Sequence, residues 1–132
     1  MSAERRVGIK CTPEECRLIG ERVRAAFPVL EDERALAERA RAFQALGNET
    51  RLQILAMLSV QEMCACNLVS ALGVAASTLA HHLRTLEDAG LIRSRQEGKF
   101  TLYELDLAAV SRYRVFALLE GQEGALAEPR SG

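Results

Sequence analysis

CNLVSALGVAASTLAHHLRTLEDAG, residues 66–90, is the stretch that decides the fold. It reads as two helices, Cys66 to Leu72 and Ala76 to Ala89, separated by Gly73-Val74-Ala75. Leu79, Leu83 and Leu86 recur at helical spacing and turn one face inward, while Gly73 and Gly90 stand where helices end in the left-handed conformation. Two helices joined by a short Gly-containing turn make a helix–turn–helix, whose second helix reads DNA. The competing reading of the same pattern is an αα-hairpin that merely packs. Downstream the period changes. Leu91–Arg95 and Phe100–Leu105 alternate as strands around Gln96-Glu97-Gly98-Lys99, a hairpin directly after the second helix that makes the motif winged.

Working outward, Asn48-Glu49-Thr50-Arg51 opens a helix whose inward face is Leu52, Leu55, Ala56 and Leu58. Before it, a helix from about Leu30 to Leu46 carries Leu36, Ala40, Phe43 and Leu46 on one stripe and stops at Gly47. Earlier still, Thr12-Pro13-Glu14-Glu15 is a capping box with Pro at the first helical position; that helix runs to about Ala26 and stops before Pro28. After the hairpin, a closing helix from about Asp106 to Glu120 shows Leu107, Val110, Tyr113, Phe116 and Ala117 on one side, widened by Val115, Leu118 and Leu119. The expected architecture is mainly α with a β-hairpin wing, a dimeric winged helix–turn–helix. Residues 1–29 form an N-terminal arm and helix, 30–121 the DNA-binding and dimerisation domain, and 122–132 a flexible tail.

Composition narrows the function. The 132 residues are 48% hydrophobic and 27% charged, which excludes wholesale disorder and suits a single domain. No apolar run approaches the ~18 residues of a membrane span. The polar start, Met1 to Arg6, leads into no apolar core, so the expectation is a cytoplasmic protein without a secretory signal. A net charge of −1 excludes a uniformly basic nucleic-acid binder but leaves room for a local basic patch. There is no nucleophile–base pair with supporting spacing, no Gly-rich phosphate loop and no His-rich cluster, so no enzyme, organic cofactor or small organic substrate is expected.

Four cysteines in a reducing compartment point to metal ligation or thiol reactivity rather than structural disulfides. Cys64 and Cys66 are two apart. Side chains so spaced share a side in extended chain but diverge within a helix, so both sulfurs meet one ion only if the helix begins at or just before Cys66. Its N-terminal dipole then favours thiolate. Cys11 and Cys16 bracket the capping box at N′ and N4, the two positions that touch in a hydrophobic staple. Two close pairs supply up to four thiolates, which suits Cd(II), Zn(II) or Pb(II); three of them suit trigonal Pb(II) or As(III). The bland alternatives are Cys16 as a small buried hydrophobe and Cys11 as an exposed bystander.

Glu62-Met63-Cys64-Ala65-Cys66-Asn67-Leu68 resembles the Glu-Leu-Cys-Val-Cys-Asp-Leu box of ArsR/SmtB metal-sensing repressors. Ser77 to Leu86, with its paired His81 and His82, resembles their recognition helix, and Ala89-Gly90-Leu91-Ile92 and Glu97-Gly98-Lys99 match the helix exit and wing turn. Leu46 to Leu52 matches the opening of their third helix, so the likeness runs from Phe43 to Tyr113. It implies a metal-released repressor of double-stranded operator DNA. Arsenic-type members often carry a third Cys where this chain has Val69, so further ligands must come from Cys11 and Cys16. The N-terminal Cys pair with the Cys-x-Cys box resembles the cadmium/lead-sensing branch, in which the arm's thiols reach the box of the opposite protomer. A zinc site on the last helix, found in other members, is not expected, because the two histidines lie at 81 and 82 and Asp106, Glu120 and Glu123 alone are a poor zinc set.

For DNA, Ser77, Thr78, His81 and Arg84 fall along one side of the recognition helix. Small hydroxyls approach phosphates or bases, His81 donates to a base edge and Arg84 pairs with phosphate or guanine. Arg93, Arg95 and Lys99 flank the wing turn as backbone contacts, with a solvated strand face as the alternative for the two arginines; Arg51 is a weaker candidate. Small side chains at Ala75, Ala76 and Ala80 shift the burden from base readout to phosphate contacts and DNA shape. His82 points away from its neighbour and packs or caps. The outer helices, Leu30–Leu46 and Asp106–Glu120, carry more apolar surface than one small domain buries, so a twofold homodimer is expected, with its recognition helices about one DNA turn apart. The rival within regulation is a thiol redox or persulfide sensor on the same scaffold, and beyond it a metal-storing protein.

Overall fold

The computed structural model describes residues 11–120; the expected tail, 122–132, and the first ten residues of the arm lie outside them. By its internal contacts the chain divides into two units that meet between Glu38 and Arg39.

In the first unit, α1 spans Pro13–Ala26. The Glu15 N–H donates to Thr12 Oγ1 at 3.1 Å and the Thr12 N–H donates to Glu15 Oε1 at 3.0 Å, so the capping box is closed in both directions. No residue of α1 is buried in the protomer, and Leu18, Ile19, Val23 and Phe27 remain 40–60% exposed. The expected helix from Leu30 does not begin there. Pro28–Glu31 form one 3₁₀ turn, and α2 spans Glu33–Leu46. Asp32 is the reason: its carboxylate accepts the Ala35 N–H at 3.0 Å, a cap that starts a new helix. Leu36 stays 39% exposed.

In the second unit, α2 ends by burying Ala42, Ala45 and Leu46, while Ala40 and Phe43 of the expected stripe stay exposed. Helix α3, Glu49–Val60, is capped by Asn48, whose side chain accepts the Arg51 N–H at 3.0 Å. It buries Ile54, Leu55 and Leu58 and leaves Ala56 exposed, a rotation of the inward face from the one read off the sequence. Strand β1, Met63–Cys64, runs directly into α4, Ala65–Leu72. Gly73 ends α4 at φ +68°, where a side chain would be strained. The second helix of the pair, α5, spans Ala76–Asp88 and buries Leu79, His82, Leu83 and Leu86.

The wing follows as β2, Ile92–Glu97, and β3, Phe100–Leu105, paired antiparallel from Ile92↔Leu105 to Glu97↔Phe100. The turn is therefore two residues, Gly98-Lys99, with positive φ at Gly98 alone, as a II′ hairpin requires. Beyond the expected hairpin, β1 pairs with β3 through Met63↔Tyr103 and Cys64↔Leu102, which makes a three-stranded sheet in the order β1-β3-β2.

The expected closing helix is two: α6, Leu107–Arg112, capped by Asp106, and α7, Val115–Leu119. Between them Arg114 adopts a left-handed φ of 54°. At about 100° per residue, Val110 and Val115 would face directions about 140° apart on one continuous helix. The break turns both into the core, at 4% and 0% exposure, and leaves Leu107 and Ala117 outside. That core is one cluster centred on Ile54, Leu55, Leu68, Leu79, Leu86 and Leu91. It holds the α4–α5 pair and the wing on a common base.

Candidate thiol centre and nucleic-acid interface

Cys64 ends β1 and is the N-cap of α4, with Cys66 in that helix's first turn. The local geometry is the one the spacing asked for: the chain is extended at Cys64 and helical by Cys66, so the two sulfurs stay on speaking terms. Cys64 is buried and Cys66 exposed. The Cys64 thiol donates to Asn67 Oδ1 at 3.1 Å. The Cys66 thiol beside Cys64, and then the backbone N–H groups at the start of α4, lower the Cys64 pKa below its ordinary value. Its neighbour Cys64, and then desolvation, raise the Cys66 pKa. Two thiols so placed suit a soft-metal donor pair, which gives up its protons when an ion binds. Cys66 borders two hollows, one of about 650 Å³ against Val69, Ala80, Arg84 and Tyr103, and one of about 290 Å³ shared with Cys64, Asn67, Glu97 and Phe100.

In the first unit, Cys11 and Cys16 are both exposed, and Cys16 is raised above its ordinary pKa first by its hydrogen bond with Cys11. The capping geometry brings these two together as N′ and N4, with the Cys16 N–H on the Thr12 carbonyl at 3.0 Å. Cys16 is therefore not a buried hydrophobe. Among the described residues, no group of three or more His, Cys, Asp or Glu is placed to hold a metal ion. Each thiol pair fits a soft ion chemically and is by itself half of a coordination shell.

On α5, Ser77, Thr78, His81 and Arg84 are all exposed, and Arg84 enters no ion pair among the described residues. His82 faces the other way and is 9% exposed. Its Nδ1 accepts from the Arg51 guanidinium at 3.1 Å, so the neutral ring carries its proton on Nε2, and burial followed by the Arg51 charge lowers its pKa. Arg51 also donates to the carbonyls of Ala45 at 2.7 Å and Gln44 at 3.4 Å, capping the end of α2. It belongs to the scaffold, which corrects its reading as a DNA contact.

The wing arginines are differently placed. Arg95 sets both Nη atoms on the two Glu62 oxygens at 2.7 Å, with Glu97 at 3.3 Å and Glu104 at 3.8 Å. Arg93 lies 3.6 Å from Glu104. The Arg95 guanidinium holds the Glu62 carboxyl below its ordinary range. Lys99, at the turn, is exposed and enters no ion pair among the described residues. Sequence reasoning found Glu62 only as part of the box; its partner lies 33 residues away, and no local pattern announces the pair.

An exposed, hydroxyl- and cation-bearing second helix, a two-residue wing turn and a thiol pair at the first helix define a DNA-binding regulator of winged helix–turn–helix type, not an enzyme. Residues 48–94 match the family model described as bacterial regulatory protein, arsR family. A cadmium resistance transcriptional regulatory protein CadC homolog of Staphylococcus aureus is 36% identical over 65% of this chain and 72% of its own. A transcriptional repressor SmtB homolog of Synechocystis is 33% identical over 74% of each chain. Among solved structures, reduced HlyU from Vibrio cholerae aligns with a TM-score of 0.59 at 32% identity over 70% of this chain and 98% of that one. The homodimeric winged helix–turn–helix domain of a Mycobacterium bovis regulator aligns with a TM-score of 0.59 at 31% identity, over 64% of this chain and 78% of that one. The chain belongs to the ArsR/SmtB family and is a transcriptional repressor.

Proposed function

We propose that this repressor acts in the cytoplasm as a homodimer on double-stranded operator DNA. It leaves the operator when thiolates of Cys11, Cys16, Cys64 and Cys66 take up a soft ion: Cd(II), Pb(II) or Zn(II), or As(III) on three of them. Ser77, Thr78, His81 and Arg84 of α5, with Lys99 at the wing turn, meet the DNA; Arg93 and Arg95 meet it only if they leave their carboxylates. The observation that carries this reading is the Cys64–Cys66 pair, set at the N-cap and first turn of the helix that precedes the recognition helix. Each pair offers two sulfurs, and a four-thiolate shell needs both. The arm's thiols supply the second half from the opposite protomer. The apolar residues left exposed on α1 and α2, among them Val23, Leu36 and Phe43, suit burial in a dimer. Relatives named for cadmium and arsenical resistance support this choice of ions.

The mechanism is linkage. Ion and DNA favour different geometries of the dimer, so each weakens the other's binding by the same factor, typically about 5- to 150-fold. The test is a titration of Cd(II), Pb(II), Zn(II) and As(III) into the protein–operator complex under strict reduction. A sulfur-to-metal absorption band should rise as the complex dissociates, and a Cys64→Ser variant should bind operator but stay bound when metal is added. Metal-driven release by Cys64→Ser would remove the box from the sensor.

A further inference from the structure

We propose that the Glu62–Arg95 ion pair is the positioning link that carries occupancy of the thiol box to the wing. This rests on the reading of Cys64 and Cys66 as the sensing thiols.

The sheet puts box and wing in one piece. Cys64 pairs with Leu102, and Leu102 pairs with Arg95, so the three form one row across β1, β3 and β2. Glu62 lies two residues before Cys64, at the free end of β1. Residues two apart in extended chain share a face. From there Glu62 reaches across β3 and grips the Arg95 guanidinium with both oxygens at 2.7 Å. Strand β1 is only two residues long and pairs with β3 at two positions, so the backbone ladder alone holds the box loosely to the wing. The bidentate pair is the second tie, and it bypasses β3 to act on the strand that leads into the Gly98-Lys99 turn.

A metal ion draws its sulfur ligands to bonding distance, about 2.3 Å for Zn(II) and longer for larger ions, and so would move the Cys64 end of β1. Glu62 moves with it, and the pair turns that displacement into a shift of β2. The same pair decides whether Arg95 is available to phosphate. The arginine is surrounded by Glu62, Glu97 and Glu104 and adds little to a basic surface.

The test uses the full-length dimer and measures one ratio, the operator dissociation constant with saturating Cd(II) over that without metal. Glu62→Gln should bind Cd(II) with unchanged affinity in a chelator competition and show the wild-type sulfur-to-metal band, while the ratio falls about three- to fivefold, the scale of a half-exposed bidentate pair. The salt dependence of its operator binding without added metal should change by less than about one, because Glu97 and Glu104 still hold Arg95. Arg95→Gln reads the same link from the wing. Its ratio should fall to a similar extent, and the double variant should lose no more than either single one. A wild-type ratio in Glu62→Gln, or additive losses in the double variant, would overturn the link. If Cd(II) fails to release even the wild-type protein, the sensor reading falls and the link falls with it; if wild type is released and Glu62→Gln behaves identically, the link alone falls.

Discussion

The recognition helix and the wing carry the same kinds of cation and use them in opposite ways. On α5, Arg84 projects without an ion pair among the described residues, beside exposed His81. On the wing, Arg93 and Arg95 are each held by carboxylates, and only Lys99 at the turn is left unpaired among the described residues. A guanidinium already bound to carboxylate must give up that pair to meet a phosphate, so its net gain from DNA is small. Counting basic residues along the sequence treats these side chains as equal; the fold does not.

The largest effect is expected on removing the proposed sensing thiol. Cys64→Ser should abolish metal-driven operator release, a loss of about 5- to 150-fold in the ratio defined above, while gel shifts without metal stay unchanged. Next comes the direct comparison of arginines. Arg84→Ala should weaken operator binding by about tenfold or more, whereas Arg93→Ala should change it by less than about threefold; equal losses would erase the distinction between helix and wing. A third arginine serves neither surface. Arg51→Ala removes the cap on α2 and the partner of His82, and should cost about 1–3 kcal/mol in a denaturant melt with no change in the salt dependence of DNA binding. Smaller still, Lys99→Ala should reduce the salt slope by about one with little sequence preference.

The smallest effect belongs to the buried histidine. His82 has a lowered pKa in the folded protein. Above about pH 6.5 both states hold the ring neutral and there is no penalty. As pH falls below 6.5, the unfolded chain takes up a proton that the folded ring resists, so stability declines until the folded pKa is reached. Melting temperature should therefore drop on acidification through this window. His82→Asn should flatten that drop.

Much of the fold was legible because its signals are local. The capping box at Thr12, the N-cap at Asn48, the left-handed glycines at 73 and 90, the leucine period of α5 and the change to alternation after Leu91 each act within a few residues. The contact between Cys11 and Cys16 was likewise readable, since a cap fixes both positions. Four features were not. A two-residue strand has no period to detect, so β1 emerged only where β3 offered it partners. The break at Arg114 exists because Val110 and Val115 must both enter one core. The pairs Arg51–His82 and Glu62–Arg95 join residues 31 and 33 positions apart, and their energy depends on distances that only the packed chain defines. Local backbone preference and hydrophobic periodicity determined which helices and strands this chain makes and where its thiols gather in twos. Which charges stay open to DNA, and which are spent holding the wing to the box, was decided by tertiary structure, because electrostatic pairing falls off with separation in space and takes no account of separation in sequence.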